Sequence, residues 1–224
     1  MRRNVLPALL AAAAAMGGCA GGVMQPSGEN LAVDGGFETH RVARGWPDES
    51  GKWGGDVARA VGAEESVRPA QGDRMLKFVY TSHAVPWSSN TCEVVQAIAL
   101  DAHEDLVRTG RAEVSASALF NRIAGDEQTD TRFAVSLFAY SGEVRDHFVL
   151  REAGEWLARA SGEVFTDADP STWQQADVSL TLPPATDFVT VQVCAYEDKS
   201  NDRSPPEFDG HYADRVWVSG PRRR

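Results

Sequence analysis

The sequence predicts an all-β protein, a single β-sandwich of jelly-roll type. No segment carries a long helical period of apolar residues. Apolar and polar residues instead alternate over short stretches, as they do in strands that bury one face. Glycine, proline, serine and aspartate punctuate these stretches at intervals of about 8–15 residues, which is typical of an antiparallel sandwich.

The clearest strand patterns lie at residues 112–120, 133–139, 178–182 and 189–193. In the first of these, apolar side chains occupy every second position from Ala112 to Phe120. Further strands are predicted at 57–61, 75–80, 93–100, 146–151 and 212–218, and one short helix at 102–109. Since no linker composition interrupts residues 29–219, we predict that they form one domain.

Composition excludes some classes of function. The chain has 224 residues, of which 24% are charged and 42% hydrophobic, as is ordinary for a soluble globular protein. The formal net charge is −10. A chain this acidic lacks the basic footprint of a nucleic-acid binder, and it is not attracted electrostatically to anionic lipid.

The N-terminus predicts export and a lipid anchor. Two arginines precede an apolar run over residues 5–16, and Gly17, Gly18 and Cys19 follow, so residues 1–18 read as a signal peptide. This ending resembles the lipobox of bacterial lipoproteins, which implies lipidation of Cys19; Ala20 after it favours the outer membrane. The alternative is an ordinary signal peptide. Residues 19–28 would then be the lipidated cysteine and a flexible tether, and the basic tail 220–224 is predicted to be disordered.

The two remaining cysteines, Cys92 and Cys194, predict a disulfide, because an exported protein with an even pair of cysteines commonly oxidises them. The alternative is two buried free thiols. Strand parity argues for the alternative, because Cys92 is in phase with the apolar Ile98 whereas Cys194 is out of phase with Val193. A β-bulge would be needed to bring the two side chains to one face.

A set of short motifs spans nearly the whole chain. NLAVDGGFE at 30–38 is followed by Gly45-Trp46, and FDGHYADRVWV stands at 208–218. Between them lie AQGDRML at 70–76, QAIAL at 96–100 and the strand-starting Trp173. In this order the motifs resemble carbohydrate-binding modules of the galactose-binding-like jelly-roll superfamily. The resemblance implies a galactose-binding-like sandwich whose first and last strands lie side by side.

The resemblance also implies a structural calcium ion held by Glu38 and Asp214. Calcium takes six to eight oxygen ligands, commonly carboxylates and backbone carbonyls. Asp34 and Asp73 are additional candidates. Arg215 stands where the family has a second aspartate. The alternative is that Glu38 and Asp214 cap turns or pair with arginines.

Three tryptophans are candidates for glycan binding, because sugar sites combine aromatic platforms with a few polar groups. Trp53 lies in a glycine-rich loop, Trp87 precedes a strand, and Trp217 has the parity of an outward-facing residue. Each has the alternative of packing under a loop. Trp46 and Trp173 are expected in the core.

Catalytic motifs are missing from the sequence. The five histidines form no metal-binding spacing, and there is no nucleophile elbow or phosphate-binding loop. Together with the family resemblance, the export signal and the spare tryptophans, this favours a non-catalytic module that binds a glycan or polysaccharide at the cell surface. The alternative is a structural or protein-interaction domain of the envelope. A shared exposed groove for Trp53, Trp87 and Trp217 would favour the first hypothesis, and their scatter or burial the second.

Overall fold

A computed structural model describes residues 28–39, 41–80, 91–123, 131–167, 169–197, 208 and 210–223 of the chain. Cys19 and Trp87 lie outside these residues. The strands are β1 (Val42–Arg44), β2 (Trp53–Gly55), β3 (Val57–Val61), β4 (Met75–Tyr80), β5 (Thr91–Ala99), β6 (Ala112–Arg122), β7 (Thr131–Tyr140), β8 (Ala158–Phe165), β9 (Gln174–Thr181), β10 (Phe188–Glu197), β11 (His211–Val218) and β12 (Arg222–Arg223). The helices are α1 (Glu104–Val107) and α2 (His147–Glu152), each preceded by a turn of 3-10 helix. Within the described residues, no helix is long and apolar enough to cross a membrane.

Two sheets form the sandwich. The first has the strand order β1-β2-β5-β10-β7-β8. In the second, β6 is flanked by β9 on one side and by β11 and β12 on the other, and β11 continues to β4 and β3. The predicted all-β sandwich of jelly-roll type is confirmed.

The main core lies between the sheets and draws on both. Val114, Ala118 and Phe120 of β6 and Val189 and Val193 of β10 are fully or almost fully buried in it. The alternation along each strand puts these side chains inside and their sequence neighbours outside. Burial of apolar surface, at about 25 cal/mol per Å², is the main stabilising term.

The predicted strand at 146–151 is wrong, because this segment forms α2. Within it His147 is buried and the neighbouring Phe148 and Val149 are exposed, a spacing that suits a helix lying on a sheet. The helix predicted at 102–109 is confirmed by α1. Strand β8 was not predicted, because its half-buried face consists mainly of the small residues Ala158, Ala160 and Gly162.

The predicted disulfide is also wrong, since Cys92 and Cys194 are free and buried. In the β5–β10 register Cys92 is opposite Ala195, and Cys194 is opposite Glu93. Adjacent positions on a strand face opposite sides of a sheet, so the two sulfur atoms lie on opposite faces and cannot bond without a register change.

The basic tail is ordered where the structure describes it. Arg222 and Arg223 form β12, paired with Glu113 and Ala112 at the start of β6. The prediction that residues 220–224 are disordered is therefore wrong for this pair. The backbone pairing along β6 and the Arg222–Glu113 contact at 3.5 Å fix the segment.

Candidate functional site

The N-terminal segment and the last long strand build the candidate site together. Leu31 N–H donates to the Val218 carbonyl and Val216 N–H donates to the Gly35 carbonyl, at 2.9 and 2.8 Å. Gly35 is required at this close approach, because a Cβ there would stand 2.0 Å from the Val216 oxygen. The expectation that the two ends of the domain lie side by side is confirmed for this segment.

A β-bulge in β11 shapes the site. The pairing of β11 with β6 shifts between Asp214 and Trp217, and Arg215 takes a φ of +50°, a left-handed value that is uncommon for a residue with a side chain. In a regular strand, positions 214 and 217 would lie on opposite faces of the sheet, because they are an odd number of residues apart. The bulge instead places Asp214 and Trp217 on the same outer face of the second sheet.

A cavity of about 340 Å³ opens beside this bulge. Its wall combines the half-buried indole of Trp217 with polar side chains from the loops and from the outer faces of β6 and β9. The polar and charged residues in the lining are Asn30, Asp34, Glu38, Gln71, Ser117, Gln175 and Arg215. The Trp217 indole N–H is buried and has no hydrogen-bond acceptor in the described part of the chain. An oxygen supplied by a ligand or by water would satisfy it.

Asp214 lies fully buried behind this wall. Its Oδ2 accepts the N–H groups of Ala70 and Gln71 at 2.8 and 3.1 Å, and its Oδ1 accepts the N–H of Arg215 at 2.6 Å. Burial raises the pKa of Asp214 to about 7; the three N–H groups oppose this rise, and the charge of Glu38 adds to it. The carboxylate therefore ties the loop at residues 70–71 to the bulge.

Glu38 supplies a second carboxylate near Gly36. Its carboxylate accepts the N–H groups of Asp73 and Arg74 at 3.1 and 3.3 Å. An oxygen of Glu38 and an oxygen of Asp214 each lie 3.8 Å from the point where a Cβ on Gly36 would stand. Glu38 and Asp214, the two predicted calcium ligands, therefore lie close to each other, and Glu38 lines the same cavity as Trp217.

This arrangement partly fits a calcium ion. Two carboxylates that face each other repel, and a divalent cation between them would offset that repulsion. Among the described residues, however, no group of three or more His, Cys, Asp or Glu side chains is placed to hold a metal. Asp34 is engaged by the N–H of Glu38 and by the N–H and hydroxyl of Thr39. The remaining ligands would have to be backbone carbonyls.

Trp53 does not belong to an exposed platform. It is 3% exposed, its indole N–H donates to the Val33 carbonyl at 2.8 Å, and its ring lies 5.1 Å from that of Phe37. Trp53 is therefore a core residue and not an exposed platform, and its selection as a ligand-binding residue stays a prediction. Trp87 lies outside the described residues, and Trp53 does not belong to the cavity lining that contains Trp217.

A second cluster, which we call the Arg151 cluster, lies on the outer face of the first sheet. The Arg151 guanidinium donates to Glu93 at 2.6 Å and to Gln192 at 2.9 Å, and it lies 4.8 Å from the Trp46 ring and 5.1 Å from the Phe138 ring. The sequence interpretation missed this cluster because α2 was predicted as a strand and Trp46 as core. The helical spacing of His147 and Arg151 was the signal available.

One difference between the Arg151 cluster and the cavity concerns hydrogen-bond partners. The Arg151 guanidinium has a carboxylate and an amide as partners. The indole N–H of Trp217 in the cavity has none among the described residues. The Arg151 guanidinium is therefore engaged within the protein, whereas the cavity wall contains a residue whose polar group has no partner in the described part of the chain.

No protein-family model and no curated protein matches this chain. Solved structures are similar to it at low identity. One is the carbohydrate-binding module TmCBM61 in complex with β-1,4-galactotriose, at 15% identity and a TM-score of 0.49, covering 86% of this chain and 99% of that one. Another is family 16 carbohydrate-binding module 2, at 15% identity and a TM-score of 0.45, covering 85% of this chain and 99% of that one. The C-terminal family 22 module of a Clostridium thermocellum protein is 14% identical, with a TM-score of 0.45 and coverage of 84% and 96%.

Proposed function

We propose that this protein is an exported lipoprotein whose non-catalytic β-sandwich binds a glycan in the cavity beside Trp217. One observation carries the proposal: a concave site of about 340 Å³ combines an indole with amide, hydroxyl and charged side chains. Sugar ligands offer an apolar ring face and many hydroxyl groups, so this mixture of groups suits them. The volume lies within the usual range for small-ligand sites, roughly 300–1,000 Å³.

The two carboxylates at the site support a binding role rather than a catalytic one. Asp214 is fully buried and accepts three backbone N–H groups, and Glu38 accepts two. Carboxylates held in this way organise the backbone. We propose that Glu38 and Asp214 together bind a structural calcium ion that joins the N-terminal segment, the loop at 70–73 and β11.

The anchor belongs to the same proposal. Lipidation of Cys19 and a tether up to residue 28 would place the sandwich at the bacterial envelope, with the outer membrane as the expected location. Membrane contact would be through the lipid only, since the net charge of −10 opposes attraction to anionic headgroups.

A binding screen tests the proposal. The Cys19→Ser protein, which cannot be lipidated, would be tested with calcium against neutral and acidic polysaccharides and oligosaccharides. We expect binding to at least one, weakened about tenfold by Trp217→Ala, since this change removes an aromatic contact worth about 0.5–1.5 kcal/mol together with the apolar area that the sugar face would bury. Absence of binding across the panel would contradict the proposal.

The second candidate function is a structural or protein-interaction domain of the envelope. The burial of Trp53 favours it, because in the described part of the chain Trp53 and Trp217 do not share an exposed groove. Under this alternative the protein would bind no glycan but would be captured by envelope proteins through a surface that Trp217→Ala leaves intact.

A further inference from the structure

Arg215 supplies a charged group to the cavity wall, and its guanidinium has no partner within the described part of the chain. The residue is half-buried, precedes Trp217 by two positions in the chain and lines the cavity. Its backbone N–H is fixed by Asp214 at 2.6 Å, and its φ of +50° is held by the bulge. A side chain kept at a strained backbone position beside a cavity points to a role in that cavity.

The other charged groups of the lining are already engaged. Asp34 accepts bonds from Glu38 and Thr39, and the Glu38 carboxylate accepts the N–H groups of Asp73 and Arg74. The Arg215 guanidinium makes no hydrogen bond, ion pair or ring contact with the described part of the chain. Arg215 therefore differs from Arg151, whose guanidinium is bound to Glu93.

A guanidinium presents two parallel N–H groups that match the two oxygens of a carboxylate. Trp217, two residues further along β11, presents an indole beside it. We infer that the cavity binds an acidic glycan through a uronic acid residue, whose carboxylate pairs with Arg215 while its ring packs on Trp217. This inference rests on the proposed function and adds to it the chemical class of the sugar.

Because the whole protein is negatively charged, recognition of an acidic sugar must depend on direct contact inside the cavity. A net charge of −10 repels an anionic ligand at long range, and the Debye length of about 8 Å at 0.15 M salt screens most of that repulsion. A direct bidentate contact inside a cavity is screened much less. Selectivity for the acid should therefore persist at physiological salt, because it depends on the contact rather than on the overall field.

The experiment compares two ligands that differ only in the carboxylate. Titration calorimetry at 0.15 M salt with calcium would measure the Cys19→Ser protein with a galacturonic acid trisaccharide and with its trimethyl ester. We expect the acid to bind about ten- to hundredfold more tightly, which is the range for a hydrogen bond to a charged group. Arg215→Gln should lower affinity for the acid to that of the ester, and Arg215→Lys should restore only part of it because it keeps charge without the planar fork.

The matched control is Arg111→Gln, which removes the same charge from an exposed arginine outside the cavity lining. Thermal melting of each variant would show whether the fold is retained; if Arg215→Gln does not fold, the comparison of acid and ester on the unsubstituted site still decides. Equal binding of acid and ester, or an equal loss of both in Arg215→Gln, would overturn the inference and leave glycan binding standing. Binding of neither these ligands nor any glycan of the wider panel would overturn the proposed function as well.

Discussion

Removal of the buried imidazole of His147 should abolish one acid-sensitive contribution to stability. The side chain is fully buried at the start of α2, between the rings of Trp46 and Tyr140 at 5.6 and 5.4 Å. Neither ring nitrogen has a hydrogen-bond partner in the described part of the chain. Burial, with a smaller contribution from the Arg151 charge, lowers the pKa of His147 from 6.5 to about 4.

The magnitude follows from that difference. Between pH 6.5 and about 4 the unfolded chain binds a proton that the folded protein excludes, so stability falls as the pH falls through this window. At about 1.4 kcal/mol for each pH unit, the loss is about 3 kcal/mol, complete near pH 4 and absent above pH 7. His147→Leu lacks the titrating group and should not show this loss.

Urea denaturation of wild type and His147→Leu at pH 4, 5, 6 and 7.5 measures the effect. The stability of wild type relative to the variant should fall by about 3 kcal/mol from pH 7.5 to pH 4. His103→Leu is the control for loss of a histidine elsewhere. A wild-type–variant difference that does not change with pH would refute the burial of a neutral imidazole under α2.

Three further predictions concern the core, the thiols and the metal. Trp53→Ala should lower the free energy of unfolding in urea by about 3–5 kcal/mol, as for a large core side chain, and Trp217→Ala by less; equal losses would contradict the assigned burial. Cys92 and Cys194 should resist a thiol reagent in the native protein and both react after denaturation without reductant, as read by mass spectrometry; unlabelled denatured protein would contradict the free thiols. Calcium at a hundred times its Kd should add about 2.7 kcal/mol, or about 5–10 °C in melting temperature, and Glu38→Gln should remove this gain. No change of wild-type melting temperature with calcium or chelator would contradict the metal site.

The fold was predictable where strands have a distinct apolar face. Strands β6 and β10 show a clear alternation because each buries one apolar face in the core between the sheets. Segments β8 and α2 were not, because a face of alanine and glycine gives a weak periodic signal and a six-residue helix is too short to establish a period. Strand parity pointed correctly to opposite faces for Cys92 and Cys194, whereas the count of cysteines did not.

The part of the site that could be predicted is the part formed by the two ends of the domain. Glu38, Asp214 and Trp217 meet because the N-terminal segment lies against β11. Arg215 could not be found in this way, since its importance depends on a bulge and on the lack of a partner. Trp53 was predicted in a loop because glycines lie beside it, whereas the structure places it in β2. Gly54 instead permits close packing, as a Cβ there would stand 2.5 Å from the Gly45 carbonyl oxygen.

The most direct test of glycan binding at this cavity compares two half-buried tryptophans on opposite sheets. Calorimetric titration with the tightest glycan from the screen would be performed on the Cys19→Ser protein and on its Trp217→Ala and Trp156→Ala variants. Trp156 belongs to the outer face of the first sheet, where its ring lies 5.7 Å from that of Phe138. We predict that Trp217→Ala weakens binding about tenfold or more and that Trp156→Ala leaves it unchanged. Loss of binding in Trp156→Ala with full binding in Trp217→Ala would contradict the cavity as the glycan site.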